Sequence, residues 1–309
     1  MASLVASPAV TSLHPTTLAF EDWNLRKTRH ENRVAPFVEA HLARSSAGEC
    51  HPIYDFLFEY YSLRPSLLLR WHPGVGIVLT GPEALACLAF PHYRERENPA
   101  GVSVCPQTFK IERLPFLRWL RQFLRNVQTR PPFFGCSGLH EWAMVYQTRN
   151  VRHPAWPLRF CADTIARIVE SLPICCSHYD AFRFFTPAAE PLNRLRPTRQ
   201  LADQFDQPGC LHANMDLYKW SYKLAPFTSS ELVADAFLLA RDIREIDMRA
   251  SPYDFSNLGF APIPIETTPG RTEYEGFQRS FHQRAIPIRE RLLDVCETLL
   301  EQLESTTPE

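Results

Sequence analysis

Apolar positions recur at helical spacing along most of the chain, and few stretches alternate as a strand would. In HPIYDFLFEYYSLRP (51–65) a proline falls at a first helical position, with apolar or aromatic residues in every turn. That pattern predicts a largely buried helix ended near Pro65. WHPGVGIVLTG (71–81) reads as a turn and a short β-like stretch, and PEALACLAF returns to helical character. A helix is predicted after Pro115, with Phe116, Leu117, Leu120, Phe123 and Leu124 on its inner face. LHEWAMVYQ (139–147) is helical, and RFCADTIARIVESL is an amphipathic helix stopped by Pro173. HANMDLYKWSYKL (212–224) forms a further helix. TSSELVADAFLLARDIREIDMRA begins on Ser229 or Ser230 as N-cap. Its apolar stripe is Leu232, Ala236, Leu239, Ile243, Ile246 and Ala250, flanked by Asp235 and Asp242 on one side and Asp247 on the other. Residues 271–304 predict a long C-terminal helix.

Between these elements, FTPAAEPLNRLRPTRQLADQFDQPG (185–209) is long, proline-rich and arginine-rich, the composition of a lid or partner surface rather than a domain linker. No repeat of solenoid length is visible. The pattern predicts a mainly α protein: a single globular helical domain over 21–305 with little β structure, preceded by a loose arm, 1–20.

With 309 residues, 45% of them hydrophobic, the chain is long enough to bury a sizeable core. The net charge of −1 does not favour nucleic acid as partner, although a local basic face is compatible with it. The nine cysteines contain no C-x-x-C, so neither a zinc ribbon nor a thioredoxin motif is indicated, and a reduced, cytoplasmic protein is expected. The first residues lack the basic and apolar regions of a secretory signal, and no run of 18 apolar residues occurs, so no membrane span is expected.

Candidate chemistry sits where polar residues interrupt apolar segments. His51 and Asp55 are spaced i, i+4, and His212 and Asp216 repeat that spacing. His140 stands beside Glu141 in GLHEWAMVY, and His178 near Asp180 in CSHYDAFRFF. Imidazoles and carboxylates on facing helices are the means by which helical proteins hold metal ions. His51, Asp55, His140, His178, His212 and Asp216 are therefore the candidate ligands of a divalent iron, manganese or zinc ion. Such a protein would be a metal-dependent enzyme, a non-haem iron oxygenase or a hydrolase, acting on a small substrate. Neither H-E-x-x-H nor E-x-x-H occurs. Asp216, Lys219 and Asp247 are the candidate catalytic residues: Lys219 shares a helical face with Asp216, to pair with it or hold an anion, and Asp247 borders the apolar stripe. Cys136, Cys176 and Cys210 stand shortly before histidines, Cys210 being the best placed as a thiol nucleophile. A metal-free reading uses the same histidines and tyrosines to bind a small aromatic or anionic ligand, with Arg183 or Lys219 holding an acidic group.

The strings HPIYDFLFEYYSLRP, RWHPGVGIVL, GLHEWAMVY, CSHYDAFRFFTP, QPGCLHANMDLYKWSYKL and ELVADAFLLARDIREIDMRASPYD resemble a family of proteins of about this length that carries the label 3-methyladenine DNA glycosylase. The resemblance runs from about residue 30 to residue 300. It implies excision of alkylated bases from DNA, with a carboxylate such as Asp216 or Asp247 orienting water. The chain shows neither the glycine-rich hairpin nor the repeats of other alkylpurine glycosylases.

Overall fold

A computed structural model describes residues 15–305. Its helices are α1 (Phe20–Ser46), α2 (Phe56–Tyr60), α3 (Pro65–Leu69), α4 (Leu114–Thr129), α5 (Leu139–Ala143), α6 (Ala162–Ser171), α7 (Tyr179–Phe182), α8 (Ala202–Phe205), α9 (Leu211–Lys223), α10 (Ser230–Arg249) and α11 (Thr268–Glu304). The strands are β1 (Thr16–Leu18), β2 (Ile77–Leu79), β3 (Tyr93–Glu97) and β4 (Ala100–Val104). They make one small sheet in the order β1-β2-β4-β3, with β1 and β2 parallel and the other pairs antiparallel. The protein is mainly helical, as the periodicity predicts.

The centre is the packing of α9, α10 and α11 on one another, with α4 against α11 and α1 against α10 and α3. α10 starts where the N-cap signal placed it: the Ser229 hydroxyl accepts the Leu232 N–H at 3.3 Å. α11 is capped in the same way by Thr267, which accepts the Gly270 N–H at 3.1 Å. Leu232, Ala236, Leu239, Ile243, Ile246 and Ala250 of the α10 stripe are all buried. Asp235 and Asp242 stay at the rim, paired with arginines of α1, α10 and α11, whereas Asp247 is fully buried. Among the described residues no helix is long and apolar enough to cross a membrane.

Several boundaries differ from the periodicity: the helix expected over 139–147 ends at Ala143, and Pro82–Ala89 is a 3-10 helix. Residues 1–14 of the expected arm lie outside the described residues, but Thr16–Leu18 is β1 and α1 begins at Phe20. α1 is absent from the sequence reading because charged residues crowd its surface and Pro36 interrupts it; only Trp23, His30, Val34 and Val38 are buried. The helix expected from Pro52 is instead a turn over 52–55 followed by the short α2, and Pro65 opens α3 rather than closing a long helix. Local side-chain hydrogen bonds explain the turn. His51 Nδ1 accepts the N–H of Ile53 (3.3 Å) and of Tyr54 (3.2 Å), and the Asp55 carboxylate accepts the His51 N–H at 2.7 Å. These bonds satisfy the backbone without a helix.

Candidate functional site

Ser137 and Gly138 both adopt the left-handed region, at φ 48° and 72°. That tight reversal sets the start of α5 and brings Cys136 Sγ to 3.4 Å from His140 Nδ1. The other edge of the ring, Nε2, lies 3.0 Å from Asp247 Oδ1 across the α5–α10 contact. The Tyr274 hydroxyl of α11 donates to the same oxygen at 3.2 Å. Asp247 Oδ2 has no hydrogen-bond partner, and His140 Nε2 is out of line for one despite its short distance to Oδ1. Oδ2 faces His212 Nε2 at 4.0 Å and Arg244 Nη1 at 3.9 Å. Arg244 also reaches Glu141 Oε1 at 3.4 Å.

A second cluster adjoins the first through stacked imidazoles. His212 lies edge-on to His140, with ring centroids 4.7 Å apart, and parallel to His178 at 5.4 Å. His178 Nδ1 meets Asp206 Oδ2 at 3.1 Å, which leaves Nε2 facing Asp216 Oδ2 at 3.9 Å. Asp216 Oδ2 accepts a hydrogen bond from Lys219, and the Tyr61 hydroxyl donates to Oδ1 at 2.9 Å. Lys219 Nζ also lies 3.6 Å from Asp180 Oδ2.

The charge states follow from these partners. Burial alone would lower the pKa of His140, but the Asp247 carboxylate outweighs it and the net shift is upward. His178 is raised in the same way by Asp206. His212 has no such partner within hydrogen-bond range. Burial and the neighbouring His140 hold it well below its ordinary value, so it is a neutral imidazole. Burial favours the neutral form of Asp216, but Lys219 and His178 prevail and keep it ionised. Burial pushes the Cys176 and Cys210 thiols up, which disfavours the thiolate a nucleophile requires.

Of the residues predicted from sequence, His140, His178, His212, Asp216, Lys219 and Asp247 are brought together. His51 and Asp55 are not. Asp55 is bonded to Arg44 (2.5 and 2.9 Å), to His41 Nδ1 (2.9 Å) and to the His51 backbone, and the His51 ring stacks on Tyr54. Their segment does face α9, but through Tyr61. Sequence reasoning overlooked Asp206, Arg244, Tyr61 and Tyr274. Asp206 lies in the proline-rich connection, where no periodicity singles out a residue.

Among the described residues two groups of side chains could hold a metal ion: His140, Glu141, His212 and Asp247, and separately His178, Asp180 and Asp216, with ligand atoms within 4.8 Å of one another in each group. Bonds of about 2.0–2.2 Å from nitrogen or oxygen to a metal place neighbouring ligand atoms about 3 Å apart and opposite ones about 4 Å apart, so modest contraction would suffice. The first group fits better. It contains the orphaned Asp247 Oδ2 and two imidazole nitrogens without hydrogen bonds in line, whereas in the second the Lys219 ammonium already takes the cation's place between Asp180 and Asp216.

A narrow solvent-open cleft, enclosing only about 20 Å³, borders both groups and is walled by Phe56, Tyr60, Arg152, Phe184, His178 and His212, among others. Comparison of the chain with protein-family models, with curated proteins and with solved structures finds no match.

Proposed function

We propose that the protein is a metal-dependent enzyme acting on a small substrate in the cavity beside His178 and His212. His140, His212 and Asp247 would bind one divalent iron, manganese or zinc ion. The observation that carries this reading is Asp247: its fully buried Oδ2 has no hydrogen bond and faces the His212 imidazole at 4.0 Å, while Oδ1 of the same carboxylate meets His140 Nε2 at 3.0 Å. An unsatisfied buried acceptor is costly unless something completes it. Ligation through His140 Nε2 requires the proton on Nδ1, where it points at the Cys136 sulfur. Glu141 is held by Arg244 and would join only if that contact opened.

A metal here supplies Lewis acidity toward a bound water or an oxygen of the substrate. The chain supplies the rest. Asp206 orients His178, so that Nε2 addresses the cavity and can exchange a proton. Lys219 and Tyr61 hold Asp216 ionised beside it. Phe56, Tyr60 and Phe184 place apolar surface at the open cleft beside His178 and His212.

The test is elemental analysis of protein purified without chelator and then loaded with iron, manganese or zinc. One ion per chain is expected, with loss in Asp247→Asn and in His212→Ala. Sub-stoichiometric metal in the unaltered protein would sink the reading. It would favour a metal-free site in which Arg244, 3.9 Å from Asp247 Oδ2, is the standing counter-charge. The glycosylase activity that the resemblance implies is a competing proposal for the same site, with Asp216 or Asp247 orienting water. Release of free 3-methyladenine from methylated duplex DNA would favour it, and its absence at high protein concentration would not.

A further inference from the structure

On the far side of His178 and Asp216 lies a second cavity, whose wall these two residues share with the first. Its walls carry Trp119, Trp220, Tyr179 and the cations Arg199, Lys219 and Lys223. The carboxylates in this wall are all engaged: Asp216 by Lys219, Asp180 by Lys219 and Arg183, and Asp206 by His178. The cations are not balanced in return. Among the described residues Arg199 and Lys223 have no ion pair. Arg199 lies over the Tyr179 ring at 5.7 Å, and Lys223 over Trp220 at 5.4 Å. Partial burial and the neighbouring Lys219 pull the Lys223 pKa down, against the opposing pull of Asp216 and Asp180.

We propose that this cavity binds the anionic group of the substrate, a carboxylate or phosphate held by Lys223 and Arg199, and that the substrate has a flat aromatic body lying against Trp119, Trp220 and Tyr179. This rests on the proposed active site for its location, since His178 and Asp216 border both cavities, but not on the metal. Aromatic walls favour a flat body through offset or edge contacts. Arg199 and Lys223 are exposed and carry no ion pair among the described residues, so they select an anion over its neutral isostere through the charge-assisted hydrogen bonds that only the anion can accept from both. Lys219 is not available for this role while Asp216 and Asp180 hold its ammonium. It instead isolates the anion from the Asp216 carboxylate.

The test is calorimetric titration of EDTA-treated protein with phenyl phosphate, benzoate and benzyl alcohol. At least one anion is expected to bind, with benzyl alcohol at least about tenfold weaker. Lys223→Ala and Arg199→Ala should each weaken the anion about tenfold. The tighter of the two anions identifies the group. Equal binding of benzyl alcohol, no binding of either anion, or indifference to both Lys223→Ala and Arg199→Ala would overturn the proposal. So would anion binding that appears only after metal is restored and ignores these substitutions, because the anion would then sit on the metal. If anions bind as expected to a protein that retains no metal under any loading, this inference stands and the metal-dependent reading falls.

Discussion

Replacing Lys219 by methionine keeps most of the side-chain volume and removes the charge. The ammonium is bonded to Asp216, and the two side chains are 15% and 5% exposed. Taking one partner from a buried ion pair costs about 3–5 kcal/mol, because the remaining charge is left uncompensated. Asp216 would retain the Tyr61 hydroxyl at 2.9 Å and His178 Nε2 at 3.9 Å, which places the loss near the lower end, about 3 kcal/mol. For a chain of 309 residues, an unfolding entropy of about 2.1 cal/mol/K per residue turns that into a fall in Tm of about 5 °C.

The pH dependence supplies a second readout with a defined sign. In the native protein Asp216 titrates below its ordinary value, because Lys219 and His178 overcome its burial. It therefore contributes stability above the pKa of the unfolded chain, and that contribution is lost as pH falls through the folded pKa. Without Lys219, burial faces weaker opposition and the folded pKa moves up. A carboxyl with a raised pKa destabilises the fold at neutral pH, and the penalty fades as it takes up a proton. The stability gap between Lys219→Met and the unaltered protein should thus narrow as the pH is lowered. Urea unfolding followed by circular dichroism across a pH series measures it. Adding Asp216→Leu should recover most of the loss. A deficit under about 1 kcal/mol, or a gap that does not change with pH, would refute the claim that this pair is a buried, mutually dependent unit.

Three further outcomes are expected. Arg44→Met removes the guanidinium from Asp55, whose side chain is 2% exposed, and should cost about 3 kcal/mol in denaturant unfolding. Metal content should not change, and a parallel loss of metal would return Asp55 to the site. Gly270→Ala puts a Cβ 2.0 Å from the Pro264 carbonyl oxygen, so α11 must shift where it starts. Thermal melting should show a loss of about 1–3 kcal/mol, and an unchanged melting temperature would contradict that packing. Arg289 is 1% exposed, its pKa is pulled down to about 10 by burial, and its guanidinium donates to Asn214 Oδ1 at 2.6 Å without an ion pair among the described residues. The combined Arg289→Met/Asn214→Leu variant should be at least as stable as the parent in urea, and Pro208 O, bonded to Asn214 Nδ2, keeps its bond to His282. A loss above about 2 kcal/mol would show the buried charge to be required.

The histidine-to-aspartate spacing shows how far sequence carries and where it stops. At 212 and 216 the four-residue step lies on a true helix, so His212 and Asp216 both reach the cavity wall. At 51 and 55 the same step closes on itself, because Asp55 accepts the His51 N–H and Arg44 of α1 then takes the carboxylate. Nothing in the spacing separates the two cases. What separates them is a helix, α1, whose few buried positions left no clear periodicity. Asp247 was legible because a carboxylate beside an apolar stripe has to be buried, and burial demands a partner. Which partner was not legible, since His140 Nε2 approaches it across a contact of more than a hundred residues in sequence. His212 and Asp216, the pair that drew attention by its spacing, do not share a ligand position. His212 addresses Asp247, and Asp216 addresses Lys219 and His178. One helix thus supplies a neutral imidazole toward a carboxylate oxygen, Asp247 Oδ2, that lacks a hydrogen-bond partner and, one turn later, a carboxylate already neutralised by its own lysine. On the proposed function, that division would put cation binding on the His212 side, because the Asp216 carboxylate already has Lys219 as its cation.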